Sequence, residues 1–449
     1  MGTLYTTREA ILRRAQEIID IPLRDIDKTG RLSTGKGAIG SVVEESWFGY
    51  KPNSNPEPDF PEAGIELKVT PYLHGKNGIR AKERLVCNVI NYMEEHSKTF
   101  KNSSFWCKCN TILLMSYEHL VGMSKGDFRI DQAVLFCFPE EDLVIIEHDW
   151  EIIMGKIRAG RAHEISEGDT LYLAACTKGS DASSVRQQPY SEIPAKQRAY
   201  SLKASYMTQI LKKYIFGNSE SPHIIKSVDN LHNKTFEEYI IDKVRPYYGM
   251  TRDEIKIKFN VDSNAKNLNE ILLARILNVT GRIADAEEFK KADIIPKTIR
   301  VQCDGKVKES MSFPAFDFIK LSKEEVWEES ELYDYLSPKK FMFVIFREQD
   351  NGEYIFDRVM FWNIPNSGLE EVHRVWKKTV QTIRDGVKLV QTPRGISNNL
   401  PKQGESGVAH VRPHGIDSFD KLPLPDGRMM VKQCFWLNNT YIAEQIKEG

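Results

Sequence analysis

The chain has 449 residues, roughly three times the most common domain size, so two domains or one very large domain are expected. Apolar residues make up 41% and charged residues 28%, an ordinary globular composition that excludes a wholly disordered, collagen-like or coiled-coil chain. The formal net charge is -1. Any site for a polyanion must therefore be a local basic patch rather than a property of the whole surface.

The sequence shows no sign of secretion or of membrane insertion. Residues 1–14 include charges where a secretion signal needs an apolar core, and no stretch approaches roughly 18 consecutive apolar residues. The seven cysteines are scattered and contain no C-x-x-C pair, which favours reduced thiols and argues against a zinc site. We therefore expect a cytoplasmic protein with no membrane partner.

The predicted elements alternate between helices and short strands. Thr6 and Glu9 have the spacing of a capping box before an apolar helix face, and Pro22 ends this first helix. The later predictions, in chain order, are a helix at Gly40–Trp47, strands at Ile65–Val69, Arg84–Ile90, Thr111–Met115, Gln132–Phe138 and Leu143–Glu147, a helix at Trp150–Ala159, a strand at Leu171–Ala175 and a helix at Ser201–Tyr214. Such a succession predicts an α/β fold with a mixed sheet of the α+β kind, flanked by helices.

The second half of the sequence repeats features of the first, which predicts a duplication. Trp150, Ile157, Arg158 and Gly160 match Trp376, Ile383, Arg384 and Gly386, each pair separated by the same interval. Further matches join Asp59–Lys68 to Glu288–Lys297, Gly40–Trp47 to Glu270–Leu277, and Ser201–Tyr214 to Phe435–Ile446. The linker-like composition of Gly217–Pro222 then predicts domains at 1–217 and 223–449. The alternative is a chance similarity between two α+β domains.

Asp59 and the triplet Glu66-Leu67-Lys68 have the form of a metal-dependent nuclease motif, an acid followed at some distance by acid-x-lysine on a strand. The strand period places Glu66 and Lys68 on one face, and the preceding loop can bring Asp59 alongside. Two carboxylates supply hard oxygen ligands for Mg²⁺, and a lysine can orient the attacking water or neutralise the phosphate. The alternative is an exposed polar strand face, since so short a motif also occurs by chance. The apolar alternation around the triplet and Gly64 before it favour a real strand and hence the site.

A local basic patch lies between residues 178 and 213. Its basic residues are Lys178, Arg186, Lys196, Arg198, Lys203, Lys212 and Lys213, interleaved with hydroxyl, glycine and tyrosine residues. Such a mixture suits contacts to phosphates and to base edges. The alternative is a solvated loop followed by an ordinary amphipathic helix end.

These segments resemble a known family. Gly40–Glu44, Asp59 and Gly64–Pro71 are similar to the catalytic core of the MutH endonucleases. Further runs resemble one branch of that family, the type II restriction enzymes built from two tandem MutH-like domains, and the likeness extends over essentially the whole chain. These runs are Ala81–Val86, Leu173–Gly179, Lys196–Lys203, His410–His414 and Phe435–Asn439.

The resemblance implies a restriction-endonuclease-like core of the PD-(D/E)xK type, present twice, and a set of functional residues. The Mg²⁺ ligands it implies are Glu44, with Glu45 as the neighbouring alternative, Asp59, Glu66 and the main-chain carbonyl of Leu67. It also implies that Lys68 assists the attacking water and that Lys108 approaches the phosphate. The DNA-binding residues it implies are Thr177, Lys178, Gly179, Ser180, Arg186, Arg198, Ser201 and Lys203. Ser201 stands where the repair enzymes have a tyrosine near the adenine methyl group, which implies insensitivity to adenine methylation.

The function implied by the resemblance is that of a type II restriction endonuclease. It would cut double-stranded DNA at GATC, 5′ of the G, and leave 5′ overhangs. In the second copy Ile295 replaces Glu66 and Ala274 or a neighbour falls near Glu44, so that only Glu288 and Lys297 keep their charge. The second domain, at 223–449, is therefore expected to bind a second site as an effector without cleaving it.

The same resemblance implies three associations: GATC-containing duplex DNA as substrate, transient self-association on DNA, and a cognate methyltransferase as genetic partner. Three alternatives remain for the function. The first is a MutH-type enzyme that nicks one strand in mismatch repair. The second is a GATC-binding protein that does not cleave, and the third makes the second half a structural appendage.

Overall fold

The computed structural model describes residues 5–33, 35, 37–51, 56–75, 78–179, 183–217, 221–231, 233–263, 265, 267–393 and 395–448. Its α-helices are α1 Arg8–Gln16, α2 Leu23–Ile26, α3 Ala38–Val42, α4 Tyr92–Glu95, α5 Ser104–Cys109, α6 Glu140–Arg158, α7 Ala204–Ile210, α8 Phe236–Val244, α9 Arg252–Lys258, α10 Leu268–Ile276, α11 Glu287–Ala292, α12 Phe318–Leu321, α13 Glu331–Leu336, α14 Asn366–Arg384 and α15 Asn439–Glu448. Helices α3 and α7 each continue into a wider π-helical turn, at Val43–Phe48 and Leu211–Ile215.

The strands are short and lie between the helices, as the sequence predicts. They are β1 Glu66–Gly75, β2 Gly78–Ala81, β3 Leu85–Val89, β4 Thr111–Glu118, β5 Gln132–Cys137, β6 Leu173–Thr177, β7 Val185–Gln188, β8 Ser191–Lys196, β9 Arg198–Leu202, β10 Ile294–Val301, β11 Met311–Ala315, β12 Lys340–Glu348, β13 Tyr354–Trp362, β14 Leu389–Thr392, β15 Gly395–Asn398, β16 Ala409–Pro413, β17 Lys421–Pro423, β18 Met429–Val431 and β19 Gln433–Leu437.

The described residues form two compact units. Unit 1 comprises residues 1–236 together with 285–293, and unit 2 comprises 237–284 together with 294–449. Within the described ranges, none of the helices combines the length and the apolar character that a bilayer-crossing segment needs.

The main sheet of unit 1 has the strand order β2-β1-β4-β5. Strands β1 and β4 are parallel, with Glu66 opposite Ile112, while β1–β2 and β4–β5 are antiparallel. Helix α1 packs on this sheet through the buried Ile11 and Ala15. Its N-cap is Thr7, whose hydroxyl accepts a hydrogen bond from the Ala10 N–H. The cap therefore lies one residue after the predicted Thr6, and the predicted capping box with Glu9 is wrong because Ala10 stands at the third helical position.

A second sheet of unit 1 has the order β3-β9-β6, and β7 and β8 form a hairpin beside it. Most predicted strands of this half are confirmed to within a few residues, whereas the strand predicted at Leu143–Glu147 is wrong. These residues lie in α6, which begins after Pro139 with acidic residues in its first turn. Periodicity alone cannot tell whether a short, fully buried apolar run is a strand or a segment of a helix. The helix predicted from Ser201 begins only at Ala204, because Ser201 lies in β9.

Apart from β2, which has no counterpart among the described strands, unit 2 shows the same order of strand pairings as unit 1. Strands β10 and β12 are parallel and β12 and β13 antiparallel, while β11, β19 and β16 form a second antiparallel sheet. Ile295 lies opposite Phe341 as Glu66 lies opposite Ile112, and the interval between the copies is the same on both strands. Helices α6 and α14 have 19 residues each, and they contain the Trp150 and Trp376 that match in the sequence.

Candidate active site

The site in unit 1 is built on the turn that leads into β1. Phe60 and Ile65 pair as an isolated bridge, with N–H to carbonyl distances of 2.9 and 3.2 Å. This narrow turn places Asp59 beside the first residue of the strand. The Asp59 N–H donates to Glu66 Oε2 at 3.2 Å, and the Leu67 N–H donates to Asp59 Oδ2 at 3.0 Å. The two carboxylates predicted from the motif are therefore brought together.

Both predicted lysines contact the carboxylate of Glu66. Lys68 Nζ lies 2.8 Å from Glu66 Oε1 and also donates to the Cys87 carbonyl of β3 at 3.3 Å. Lys108, near the end of α5, has its Nζ 3.5 Å from Glu66 Oε2 and donates to the Glu57 carbonyl at 3.1 Å. Each oxygen of Glu66 thus faces one ammonium group.

Burial changes the electrostatics of these groups. Glu66 is only 2% exposed, because β3 and α5 cover the strand face that the motif occupies. Burial, followed by the charge of Asp59, raises the pKa of Glu66, and the nearby Lys68 opposes this rise. Burial alone would lower the pKa of Lys68, but the charge and hydrogen bond of Glu66, together with the nearby Cys109 and Cys87, outweigh burial and the pKa is raised. The alternative of an exposed polar strand face is therefore excluded.

The structure distinguishes between the two adjacent glutamates. Glu45 faces away from the site and forms a bidentate pair with Arg31, at 2.7 and 2.6 Å. Glu44 faces the other carboxylates: burial first, and then the charges of Asp59 and Glu66, raise its pKa to about 7, with Lys68 opposing. The carboxylate at the site is therefore Glu44.

Tyr50 is a further member of the site that the sequence analysis missed. Burial first, and then the charges of Asp59, Glu44 and Glu66, raise the pKa of its phenol. The only sequence signal is its position shortly after Glu44, and a tyrosine in that position is more often a core residue.

The donor set of the site suits a hard divalent cation. Asp59 and both lysines contact Glu66, and Glu44 interacts with Asp59 and Glu66 through their charges, so three carboxylates stand against two ammonium groups. In the described part of the chain, no three His, Cys, Asp or Glu side chains already stand close enough to hold a metal ion. Burial, and after it the charges of Asp59 and Glu66, nevertheless make the ionised form of Glu44 unfavourable, as its raised pKa indicates, and an oxygen-preferring cation would relieve this cost.

The corresponding place in unit 2 lacks these carboxylates. Ile295 stands at the strand position of Glu66, and Lys297 at that of Lys68. Burial lowers the pKa of Lys297, and Glu270 is the charge that opposes the change. Glu288, the sequence counterpart of Asp59, belongs to unit 1, where its carboxylate accepts hydrogen bonds from the Ile224 and Ile225 N–H groups at 3.0 to 3.1 Å.

Part of the predicted DNA-binding segment lies at the surface of unit 1. Thr177 ends β6 half-buried, whereas Lys178, Gly179 and Arg186 are exposed. The Lys178 N–H donates to the Gln197 carbonyl at 2.8 Å, which anchors the start of the loop. Gly179 has a φ of +149°, and a Cβ there would collide with Ser184, so the loop requires glycine at this position. Ser180 lies outside the described residues.

Three other predicted DNA contacts are buried instead. Arg198, Ser201 and Lys203 are 4%, 1% and 3% exposed. The Arg198 guanidinium donates to the carbonyls of Ala175, at 2.6 Å, and of Ile165, and Lys203 Nζ donates to the Thr170 carbonyl at 2.5 Å. Because these buried side chains donate to main-chain carbonyls inside the unit, their placement argues against direct DNA contact.

Comparison with known proteins places this geometry in a family. A family model described as the DNA mismatch repair enzyme MutH matches residues 48–149, a span that includes Asp59, Glu66 and both lysines of the site. The chain is 28% identical over 187 residues to the DNA mismatch repair protein MutH of Shewanella woodyi, covering 40% of this chain and 79% of that protein. It is 29% identical over 224 residues to that of Vibrio parahaemolyticus, covering 47% and 96%. The mixed α/β fold and the site thus define a nuclease of the MutH type.

A fourth comparison extends over both units. The chain is 38% identical over 486 residues to the type II restriction enzyme Sau3AI of Staphylococcus aureus, and the alignment covers 99% of each chain. The chain belongs to the MutH-like restriction endonuclease family, and it is an enzyme of the type II restriction endonuclease class.

Proposed function

We propose that this enzyme hydrolyses phosphodiester bonds of double-stranded DNA at GATC, with Mg²⁺ as cofactor, and cuts 5′ of the G to leave 5′ overhangs. The observation that supports the chemistry most directly is the contact of Glu66 with Asp59, Lys68 and Lys108 in a buried site. The choice of GATC and the cut position follow from the resemblance to the two-domain restriction enzymes of this family.

In this proposal the side chains of unit 1 have separate roles. Glu44, Asp59 and Glu66, with the carbonyl of Leu67, hold the cation, which when bound activates a water and stabilises charge on the phosphate. Lys68 orients the attacking water, because its ammonium group is fixed from both sides by Glu66 and the Cys87 carbonyl. Lys108 lies on the opposite oxygen of Glu66 and neutralises the phosphate as negative charge develops.

We infer that the exposed end of β6 reads the DNA. Thr177, Lys178 and Gly179 offer a hydroxyl, an ammonium group and a main chain that no side chain of its own covers, at a loop whose start is anchored, and Arg186 adds a cation on the neighbouring hairpin. Backbone contacts position a duplex and base-edge contacts specify its sequence. Arg198, which pairs with Thr177 across the sheet, supports this end of β6 from inside the unit.

Unit 2 is proposed to be a duplicated MutH-like domain that binds a second GATC site and promotes cleavage by unit 1. The recurrence of the strand pairings and of the register at Ile295 supports the duplication. The loss of the strand carboxylate supports the absence of cleavage in this unit, where Glu270 is the charge that opposes the lowered pKa of Lys297 among the described residues. A cognate methyltransferase and transient self-association on DNA complete the proposal.

A plasmid assay tests the proposed reaction. The full-length protein is incubated with adenine-methylated or unmethylated GATC plasmid, in Mg²⁺ or in EDTA, and the ends are sequenced. Double-strand cuts before the G in both plasmids are expected, only with Mg²⁺. Glu66→Ala should abolish cutting and keep DNA binding, while Glu62→Ala, an exposed acid on the same turn, should cut normally. Nicks confined to unmethylated strands would instead indicate a repair-type enzyme, and binding without cuts a non-cleaving protein.

A second assay tests unit 2 in the intact chain. The cleavage rate of a plasmid with one GATC site is measured with an added GATC oligoduplex and with a scrambled one. Stimulation by the GATC oligoduplex alone is expected. Equal rates in the two cases would reduce unit 2 to a structural appendage.

A further inference from the structure

The hydroxyl of Tyr50 is a buried polar group that the reaction described above does not use. Among the described residues it has no hydrogen-bond partner, although its oxygen is shielded from solvent. Burying a hydroxyl without a partner costs about 1–3 kcal/mol, so such a group in a native structure calls for an explanation.

The main chain holds Tyr50 in place at the site. The π-helical turn Val43–Phe48 ends at Gly49, whose φ of +81° is readily adopted only by glycine. The chain then turns back, and the Tyr50 N–H donates to the carbonyl of Glu44 at 3.2 Å. The residue that presents a carboxylate to the site therefore also fixes the main chain of Tyr50.

The ring of Tyr50 is fixed from a second side. It packs edge-on against Phe60, with ring centroids 5.4 Å apart and an interplanar angle of 80°. Phe60 directly follows Asp59 and pairs with Ile65, the residue before Glu66. The phenol is thus held between the two segments of the site, the turn after Glu44 and the turn from Asp59 to Glu66. After burial, the charges of all three acids contribute to its raised pKa.

We propose that the Tyr50 hydroxyl is a positioning group for the bound cation, and that it donates a hydrogen bond to a water molecule of the hydrated ion held by Glu44, Asp59 and Glu66. The inference rests on the proposed Mg²⁺ site. Mg²⁺ gives up its waters reluctantly and keeps several of them when carboxylates bind it. A rigid donor that faces three carboxylates without bonding to any of them is suited to such a water, and outer-shell partners of this kind affect metal affinity about 10–100-fold.

The test measures cation binding directly. Mn²⁺ is titrated calorimetrically into the full-length protein without DNA, for the wild type, Tyr50→Phe, Tyr5→Phe and Asp59→Asn. Tyr5 is the matched control, because it packs edge-on against the same Phe60, with centroids 6.1 Å apart. Tyr50→Phe should bind Mn²⁺ at least about tenfold more weakly, and Tyr5→Phe should bind it like the wild type.

Cleavage and unfolding supply independent readouts. The Mg²⁺ concentration for half-maximal cleavage should rise in Tyr50→Phe by the same factor, and saturating Mg²⁺ should restore the rate. The metal-free variant should unfold at a temperature no lower than that of the wild type, since the substitution removes a buried group without a partner. Mn²⁺ affinity within twofold of the wild type in Tyr50→Phe would overturn this inference alone. Equal Mn²⁺ binding by the wild type and Asp59→Asn would overturn the proposed cation site as well.

Discussion

Replacement of Glu44 by glutamine should stabilise unit 1 while it abolishes cleavage. In the folded protein the pKa of Glu44 rises from its ordinary value of 4.5 to about 7, by burial and by the charges of Asp59 and Glu66. Above pH 7 the group is ionised in both the folded and the unfolded chain, and the unfavourable buried charge lowers the free energy of unfolding. Below 4.5 it is protonated in both states, and no cost arises. The free energy of unfolding of the wild type therefore falls, relative to Glu44→Gln, as the pH rises from 4.5 to 7.

The size of this effect follows from the pKa difference. At 1.36 kcal/mol per unit, the full difference corresponds to about 3 kcal/mol. Glu44 remains partly accessible, so screening by solvent reduces the expected gain to about 2 kcal/mol. For a unit of about 200 residues this gain corresponds to a rise of about 4–8 °C in the unfolding temperature.

The assay is thermal and urea unfolding in EDTA at a series of pH values from about 4 to 8, on the wild type, Glu44→Gln and Glu45→Gln. The difference in the free energy of unfolding between Glu44→Gln and the wild type should increase from pH 4.5 to 7, stay constant above 7, and decrease when Mg²⁺ is added. Glu45→Gln is the matched control and should gain nothing, because Arg31 binds that carboxylate in the folded state. A Glu44→Gln variant no more stable than the wild type at pH 8 would refute the assignment of Glu44 to a crowded acidic site.

Three further predictions concern other parts of unit 1. Arg198→Met should lower the free energy of unfolding by about 3 kcal/mol, as measured with urea, because two buried carbonyls lose their donor; unchanged stability with weaker DNA binding would restore its role as a DNA contact. Lys178→Ala should leave the unfolding temperature unchanged but reduce the salt dependence of DNA binding by about one ion, and an unchanged slope would remove Lys178 from the interface. Hydrogen bonds to Glu287 and Glu288 raise the pKa of His223 from 6.5 to about 9. The stabilisation that protonated His223 contributes is therefore complete below pH 6.5 and lost as the pH rises through 9. A His223→Asn variant whose free energy of unfolding falls in the same way over this range would contradict this.

The sequence predicts this fold well where local pattern and burial agree. The strand at Ile65–Val69 is confirmed because its apolar residues alternate and one face packs on the core, as the pattern requires. The run Leu143–Glu147 is helical instead, because tertiary contacts, and not the period of four apolar residues, decide between a buried strand and a buried helix. Position in the chain likewise did not show that Arg198 and Lys203 point inward, since both side chains find main-chain acceptors only in the folded sheet.

The candidate site was predictable to the extent that it lies on one strand. Asp59, Glu66 and Lys68 follow from the strand period and a short loop. The sequence could not decide whether Glu44 or Glu45 points into the site, because both lie in a π-helical turn. In such a turn the direction of each side chain no longer follows the period of 3.6 residues. Tyr50 could not have been predicted, because its place in the site depends on the turn at Gly49 and on packing against Phe60.

The pairing of Glu66 with Lys68 and Lys108 has a thermodynamic consequence for the proposed reaction. In the protein alone, both ammonium groups are engaged by one carboxylate. A cation that takes the oxygens of Glu66 weakens these ion pairs, and a phosphate that attracts the lysines exposes the oxygens to a cation. Each ligand therefore increases the affinity for the other by the same factor. Through the buried carboxylate of Glu66, cation binding and DNA binding are thus thermodynamically coupled, with positive heterotropic cooperativity.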